Sequence, residues 1–135
     1  MADDHPLIRL ETLALIAVGG FAGSNLRLLA MELLSDVPSI VLVNAAGSAV
    51  LGFLVYEAEY AGHIGSRTRT VFATGFLSSL TTYSTFALQT AFAPSPVAIV
   101  GIVAANYGLG IAGVLAGRTV ARRLGHLHPT GGETA

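Results

Sequence analysis

From Thr70 to Gly117 the chain carries no Asp, Glu, Lys or Arg, and nothing else in it constrains the fold as strongly. A hydrocarbon crossing takes about 20 apolar residues, so this stretch is long enough for two crossings joined by a tight turn. Pro94-Ser95-Pro96 supplies the turn, because neither proline can continue a helix. Spans are therefore expected over residues 70–93 and 97–117, as a hairpin. Two apolar segments precede them, over residues 12–31 and 39–56, separated by Glu32, Ser35, Asp36 and Pro38. The longest internal connection is polar, from Glu57 to Arg69. Residues 118–135 read as a polar C-terminal tail, frayed at its end, with Pro129 and Gly131-Gly132. The expected fold class is an all-α integral membrane protein, residues 1–135 forming one four-helix domain.

Composition agrees. The 135 residues are 53% hydrophobic and only 11% charged, too apolar for an ordinary water-soluble domain. There is no Cys, which excludes disulfides, thiol catalysis and cysteine metal sites. All basic residues are Arg, placed at helix ends and in short loops, so no basic strip marks a nucleic-acid surface. Asp3 and Asp4 precede the first apolar segment, where a cleaved signal peptide has a basic start, and the segment reads as a retained helix.

The titratable groups exclude further classes. His5, His63, His126 and His128 lie outside the spans, and no span has a carboxylate at its centre. A proton relay and a small proton-coupled cation exporter both lack their usual residue. No nucleophile, base and orienting group fall into a recognisable set, so an enzyme reading has no support. With cytoplasmic termini, Arg9, Arg67, Arg69, Arg118, Arg122 and Arg123 lie on the cytoplasmic side and only Arg27 lies near the other. The positive-inside rule favours that orientation.

Polar residues within the spans carry the functional signal. Asn44, Ser48 and Gly52 recur every four residues and share one helical stripe. An amide at that depth either bridges helices or faces a water-filled path. In the first span Gly19, Gly20, Gly23 and Ser24 permit close backbone approach, and Arg27 continues the Gly19–Gly23 stripe. Arg27 can snorkel to the interface and also enrich anions in a vestibule. The third span holds Gly75-Phe76-Leu77-Ser78-Ser79-Leu80-Thr81-Thr82-Tyr83-Ser84-Thr85-Phe86, dense in hydroxyls. It is either a polar helix whose hydroxyls bond to their own turn or a broken helix whose freed groups line a site. In the fourth span Asn106 is a candidate for the same polar lining, and Gly113 and Gly117 form a close-packing pair.

These motifs resemble the Fluc/CrcB family of fluoride channels over nearly the whole chain. The carriers are Gly19-Gly20-x-x-Gly23-x-x-x-Arg27, Val43-Asn44-x-x-Gly47-Ser48-x-x-x-Gly52 and, most specifically, Gly75-Phe76-x-x-x-Leu80-Thr81-Thr82-Tyr83-Ser84-Thr85-Phe86. The resemblance implies an antiparallel dimer with two pores, a third helix broken mid-span, and passive fluoride export across a plasma membrane. It implies an ion path along Asn44, Ser48, Thr82, Tyr83, Ser84, Thr85, Phe86 and Asn106, with Arg27 at a vestibule. It also implies a structural sodium ion held by the backbone carbonyls of Ser78 and Thr81.

The chain departs from the family pattern in two places. Ser78-Ser79 stands in place of Gly-Gly, which keeps the carbonyl but loses glycine's backbone freedom. Tyr83 stands in place of Phe, which keeps an aromatic edge but adds a phenol. With the arginine asymmetry, these suggest a subunit of fixed orientation that pairs with an oppositely oriented homologue. The alternative function is a non-conducting structural subunit of such a heterodimer.

Overall fold

The computed structural model describes residues 6–127, and His5, His128 and the rest of the expected tail lie outside them. Helix α1 spans Pro6–Leu33, α2 Asp36–Tyr60 and α6 Pro96–Leu127, of 28, 25 and 32 residues. Each is long and apolar enough to cross a membrane, and the described residues contain no strand. Proline at the first position of α6 is tolerated because an N–H there has no helical partner to lose. Pro38 lies within the first turn of α2 for the same reason.

Helix α6 is longer than the expected span. It continues past the boundary at Gly117 as regular helix through Leu127, so the first part of the polar tail is helical. Ala121, Arg122, Arg123 and Leu124 are good helix formers.

Between Ser66 and Ala91 the backbone changes form. Helix α3 (Ser66–Val71) passes into a π-helical stretch, Phe72–Leu77, and then the single turn α4 (Ser78–Leu80). Thr81 and Thr82 are extended, with ψ of 156° and 121°, and α5 (Tyr83–Ala91) begins immediately after them. Thr82 caps α5, its hydroxyl accepting the N–H of Thr85 at 3.3 Å, as threonine does at helix starts.

Small residues decide which helices meet. The principal packing is α2 against α6 and α1 against the π-helical stretch with α4. A Cβ at Gly117 would collide with the carbonyl of Ala49, and one at Gly23 with that of Phe76. The hairpin partner expected for α6 is α5, yet the glycine stripe of α6 lies on α2, and α5 makes only the smaller contact. Few apolar residues are enclosed; Ile40, Val43, Leu54, Leu77, Leu80, Phe86 and Ile102 form the buried cluster. Most other large apolar side chains face outward, the inverse of a water-soluble fold.

At the end of the bundle that carries both described termini, Glu57 is 3% exposed. Its Oε1 accepts the N–H groups of His63 and Ile64 at 2.6 and 3.0 Å, and Oε2 lies 3.5 Å from Arg69 Nη2. The residue expected to open a polar loop is the anchor of that loop.

Candidate functional site

The interruption at Thr81-Thr82 is held from two sides. From α2, Asn44 Oδ1 accepts the N–H of Thr82 at 2.9 Å, and Nδ2 donates to the Thr82 carbonyl at 3.2 Å and to Asn106 Oδ1 at 3.1 Å. An amide has two hydrogens, and both are engaged. Asn106 is oriented by its own bond to the Ile102 carbonyl at 3.0 Å. From α1, Arg27 Nη1 donates to the Thr81 carbonyl at 3.4 Å, so its guanidinium reaches inward to the break.

This arrangement has a consequence for Ser78. In a continuous helix the N–H of Thr82 would bond the carbonyl four residues earlier, that of Ser78. Asn44 takes that N–H instead, and the carbonyl of Ser78 loses its helical donor. The side chains here behave differently from the backbone: the Ser78 hydroxyl bonds the Thr74 carbonyl, and Thr81 Oγ1 bonds that of Leu77 at 3.0 Å. Both are ordinary back-bonds to their own helix. The hydroxyls of Thr82, Ser84 and Thr85 instead gather together, with Thr82 Oγ1 3.2 Å from each of the other two.

A cavity of about 580 Å³ opens beside the break. Of the residues singled out in the sequence, Asn44, Ser48, Ser78, Thr81, Thr82, Tyr83, Phe86 and Asn106 line it. Ser84 and Thr85 are not in its wall, nor is Arg27. No carboxylate lines it, so nothing in its wall repels an anion by charge. The hydroxyls of Ser48, Tyr83 and Tyr107 make no hydrogen bond to a described residue and are free to serve a ligand.

Tyr107 is a polar wall residue absent from the ion path expected from the sequence. Phe86 and Tyr107 meet edge to face, with centroids 6.0 Å apart at 86°, and Tyr83 lies 5.7 Å from Phe86 at 56°. Three rings thus form a ladder along the cavity. Tyr107 is displaced about 100° around α6 from Asn106, so stripe analysis separates the two. The available signal was a phenol, whose polar tip needs a partner, in the middle of an apolar span.

Taken together, three membrane-length helices and, beside an interrupted segment, a carboxylate-free cavity with amides and hydroxyls in a mostly apolar wall define a multi-pass helical membrane protein. The chain belongs to the family described as CrcB-like protein, Camphor Resistance (CrcB), which it matches over residues 14–118. It is 48% identical over 122 residues to fluoride-specific ion channel FluC 1 of Haloarcula marismortui, covering 90% of this chain and 94% of that one. It is 40% identical over 115 residues to FluC 2 of Methanosarcina acetivorans, covering 85% and 90%. It is 45% identical over 109 residues to FluC 2 of Halobacterium salinarum, covering 80% and 84%.

Proposed function

We propose that this chain is a subunit of a fluoride-selective channel that lets fluoride leave the cell down its own gradient and so confers fluoride resistance. The observation that carries the reading is the cavity beside the Asn44–Thr82 lock. It offers free hydroxyls and aromatic edges to an ion, with no carboxylate opposite. Fluoride holds its water tightly, so compact donors must replace that water, and a ring edge presents positive quadrupole where a ring face would repel an anion. The relatives named as fluoride-specific channels support the same ion. Ser48, Tyr83 and Tyr107 offer donors directly, whereas Asn44 donates to an ion only by exchanging its bond to Asn106.

In this reading Ser66–Ala91 forms a fourth crossing, broken at Thr81-Thr82, and two subunits associate antiparallel so that the open side of each cavity is covered by the other. Where the partner is an oppositely oriented homologue, both termini of this chain are cytoplasmic. A structural sodium ion suits the break in one respect: oxygen donors are right for a hard cation, and the carbonyl of Ser78 is released by Asn44. The carbonyl of Thr81 is shared with Arg27, which would have to withdraw. Ser78 and Thr81 would hold the ion through backbone oxygens, where it would supply positive charge to fix two breaks together.

A second reading is a heterodimer in which this chain is the non-conducting, structural partner. The exposed phenol of Tyr83 favours it; the names FluC 1 and FluC 2 among the relatives fit a heterodimer whether or not this chain conducts. Fluoride efflux from liposomes containing the purified chain, with chloride efflux as control, separates the two. Selective fluoride release supports a self-sufficient channel. Silence from folded protein that is relieved by co-expressed homologue supports the heterodimer, and silence in both sinks the channel reading.

A further inference from the structure

The six arginines at the end of the bundle nearest Tyr60 and Leu127 are not equivalent. Arg67 is paired with Glu11 at 2.9 Å and Arg69 with Glu57 at 3.5 Å, so these two are matched by carboxylates. Arg118, Arg122 and Arg123 are exposed, and no carboxylate of a described residue lies within ion-pair distance of them. Arg118 is instead steadied by tyrosines of α2: its guanidinium lies 5.0 Å from the Tyr56 ring centroid, and its Nε donates to the Tyr60 hydroxyl at 3.3 Å.

Position tells which anion such a cluster meets. From Pro96 to Arg118 the helix rises about 33 Å, close to the roughly 30 Å of a hydrocarbon core. If Pro96 is at one interface, Arg118 is at the headgroup level of the other, and Arg122 and Arg123 lie within the next turns. Tyr56 and Tyr60 stack at 5.8 Å beside it, as amphipathic rings do at that depth. Arg122 and Arg123 diverge by about 100° around the helix. Their planar forks, which match phosphate oxygens, are therefore offered over a broad arc.

We propose that the end of α6 carrying Arg118, Arg122 and Arg123 is a seat for anionic phospholipid headgroups. The seat is independent of the ion path and rests only on the chain's crossing a membrane. It also gives the arginine excess a physical role, because a preference for the leaflet richer in anionic lipid holds this end on one side.

Native mass spectrometry of the full chain in detergent, with phosphatidylglycerol and phosphatidylcholine offered in equal amounts, tests it. Wild type retains the anionic lipid preferentially. Arg122→Gln with Arg123→Gln reduces that preference about tenfold or more, since each arginine near an anionic surface contributes roughly fivefold. Glu11→Gln with Arg67→Gln, which removes a matched pair and leaves net charge unchanged, keeps it. Undiminished preference in the first variant overturns the proposal, as does an equal loss in the second. Displacement of the lipid by glycerol phosphate at similar concentration would point to a free phosphate ligand and overturn it too. Unchanged elution of both variants confirms that they fold.

Discussion

Asn44 meets both backbone polar groups of Thr82, accepting its N–H at 2.9 Å and donating to its carbonyl at 3.2 Å, and so acts toward the break as a neighbouring strand would. Thr82 is 8% exposed, so water is poorly placed to substitute. Asn44→Ala is expected to leave those groups unpaired at a cost of about 1–3 kcal/mol, lowering the thermal midpoint in detergent and abolishing fluoride efflux. Asn44→Asp retains the acceptor for the N–H but loses both donors and sets a carboxylate against the Thr82 carbonyl and Asn106 Oδ1. Efflux should fail in that variant even if its midpoint recovers in part. A stable, fully active Asn44→Ala protein would show that the break holds itself.

How much of this was legible beforehand depends on the range of the interactions. Helices α1, α2 and the start of α6 follow from local hydropathy, because lipid rewards every apolar residue independently of its neighbours. The interruption is different: Thr81 and Thr82 are β-branched but not barred from a helix, and what takes the Thr82 N–H is an amide 38 positions away. Residue type could nominate Asn44, though not show that both its hydrogens are committed. Glu57 reads as solvated loop because its partners, the N–H groups of His63 and Ile64, are backbone and leave no mark in residue identity. Arg27 is ambiguous in sequence for a similar reason: a guanidinium can snorkel outward or reach inward, and the carbonyl that draws it in belongs to Thr81.

The glycines supply a prediction with an internal control. Gly113→Ala would bring a methyl group within 2.6 Å of the Ala45 carbonyl, whereas a Cβ at Gly101 or Gly108 meets nothing within 4 Å. Gly113→Ala is expected to cost about 1–3 kcal/mol through forced separation of α2 and α6. Gly101→Ala and Gly108→Ala should be neutral or stabilise by about 0.5–1 kcal/mol in a lone subunit. Thermal unfolding of the three variants in one detergent decides it, and equal effects would mean that the α2–α6 contact is not close-packed.

Glu57 holds two backbone N–H groups and faces the guanidinium of Arg69, whose Nε is buried without a partner. Glu57→Ala removes every acceptor at once and should destabilise by on the order of 2–3 kcal/mol. Glu57→Gln keeps an oxygen for His63 and Ile64 but loses the charge and the acceptor that faces Arg69, so it should lie between the alanine variant and wild type. Protease sensitivity of the Ala61–Gly65 connection is the local readout. Cleavage should appear in the alanine variant and not in the glutamine one.

Tyr83 is 74% exposed and its hydroxyl bonds no described residue. Tyr83→Phe should therefore change stability by less than about 0.5 kcal/mol while retaining the ring contact to Phe86. Any effect on fluoride flux then belongs to the path itself. If the phenol is one of the donors that replace fluoride's water, a conducting cavity should pass fluoride more slowly once it is gone. No change in an active assembly would favour a structural role for this subunit.

Orientation gives the last test. A subunit that inserts both ways has no reason to concentrate arginine at one end, yet Arg67, Arg69, Arg118, Arg122 and Arg123 all lie at the end opposite the Leu33–Asp36 turn. Unpaired Arg122 and Arg123 resist translocation more than matched Arg67 does. Single cysteines at Ser35 and His63, both exposed, should accordingly be labelled by an impermeant thiol reagent from opposite sides of the membrane. Ser35→Cys should react from outside intact cells and His63→Cys only after permeabilisation. Replacing Arg122 and Arg123 with Gln should produce labelling of both sites from both sides. If the unmodified chain already labels from both sides, it inserts in dual orientation and can form an antiparallel dimer with its own copies, without an oppositely oriented homologue.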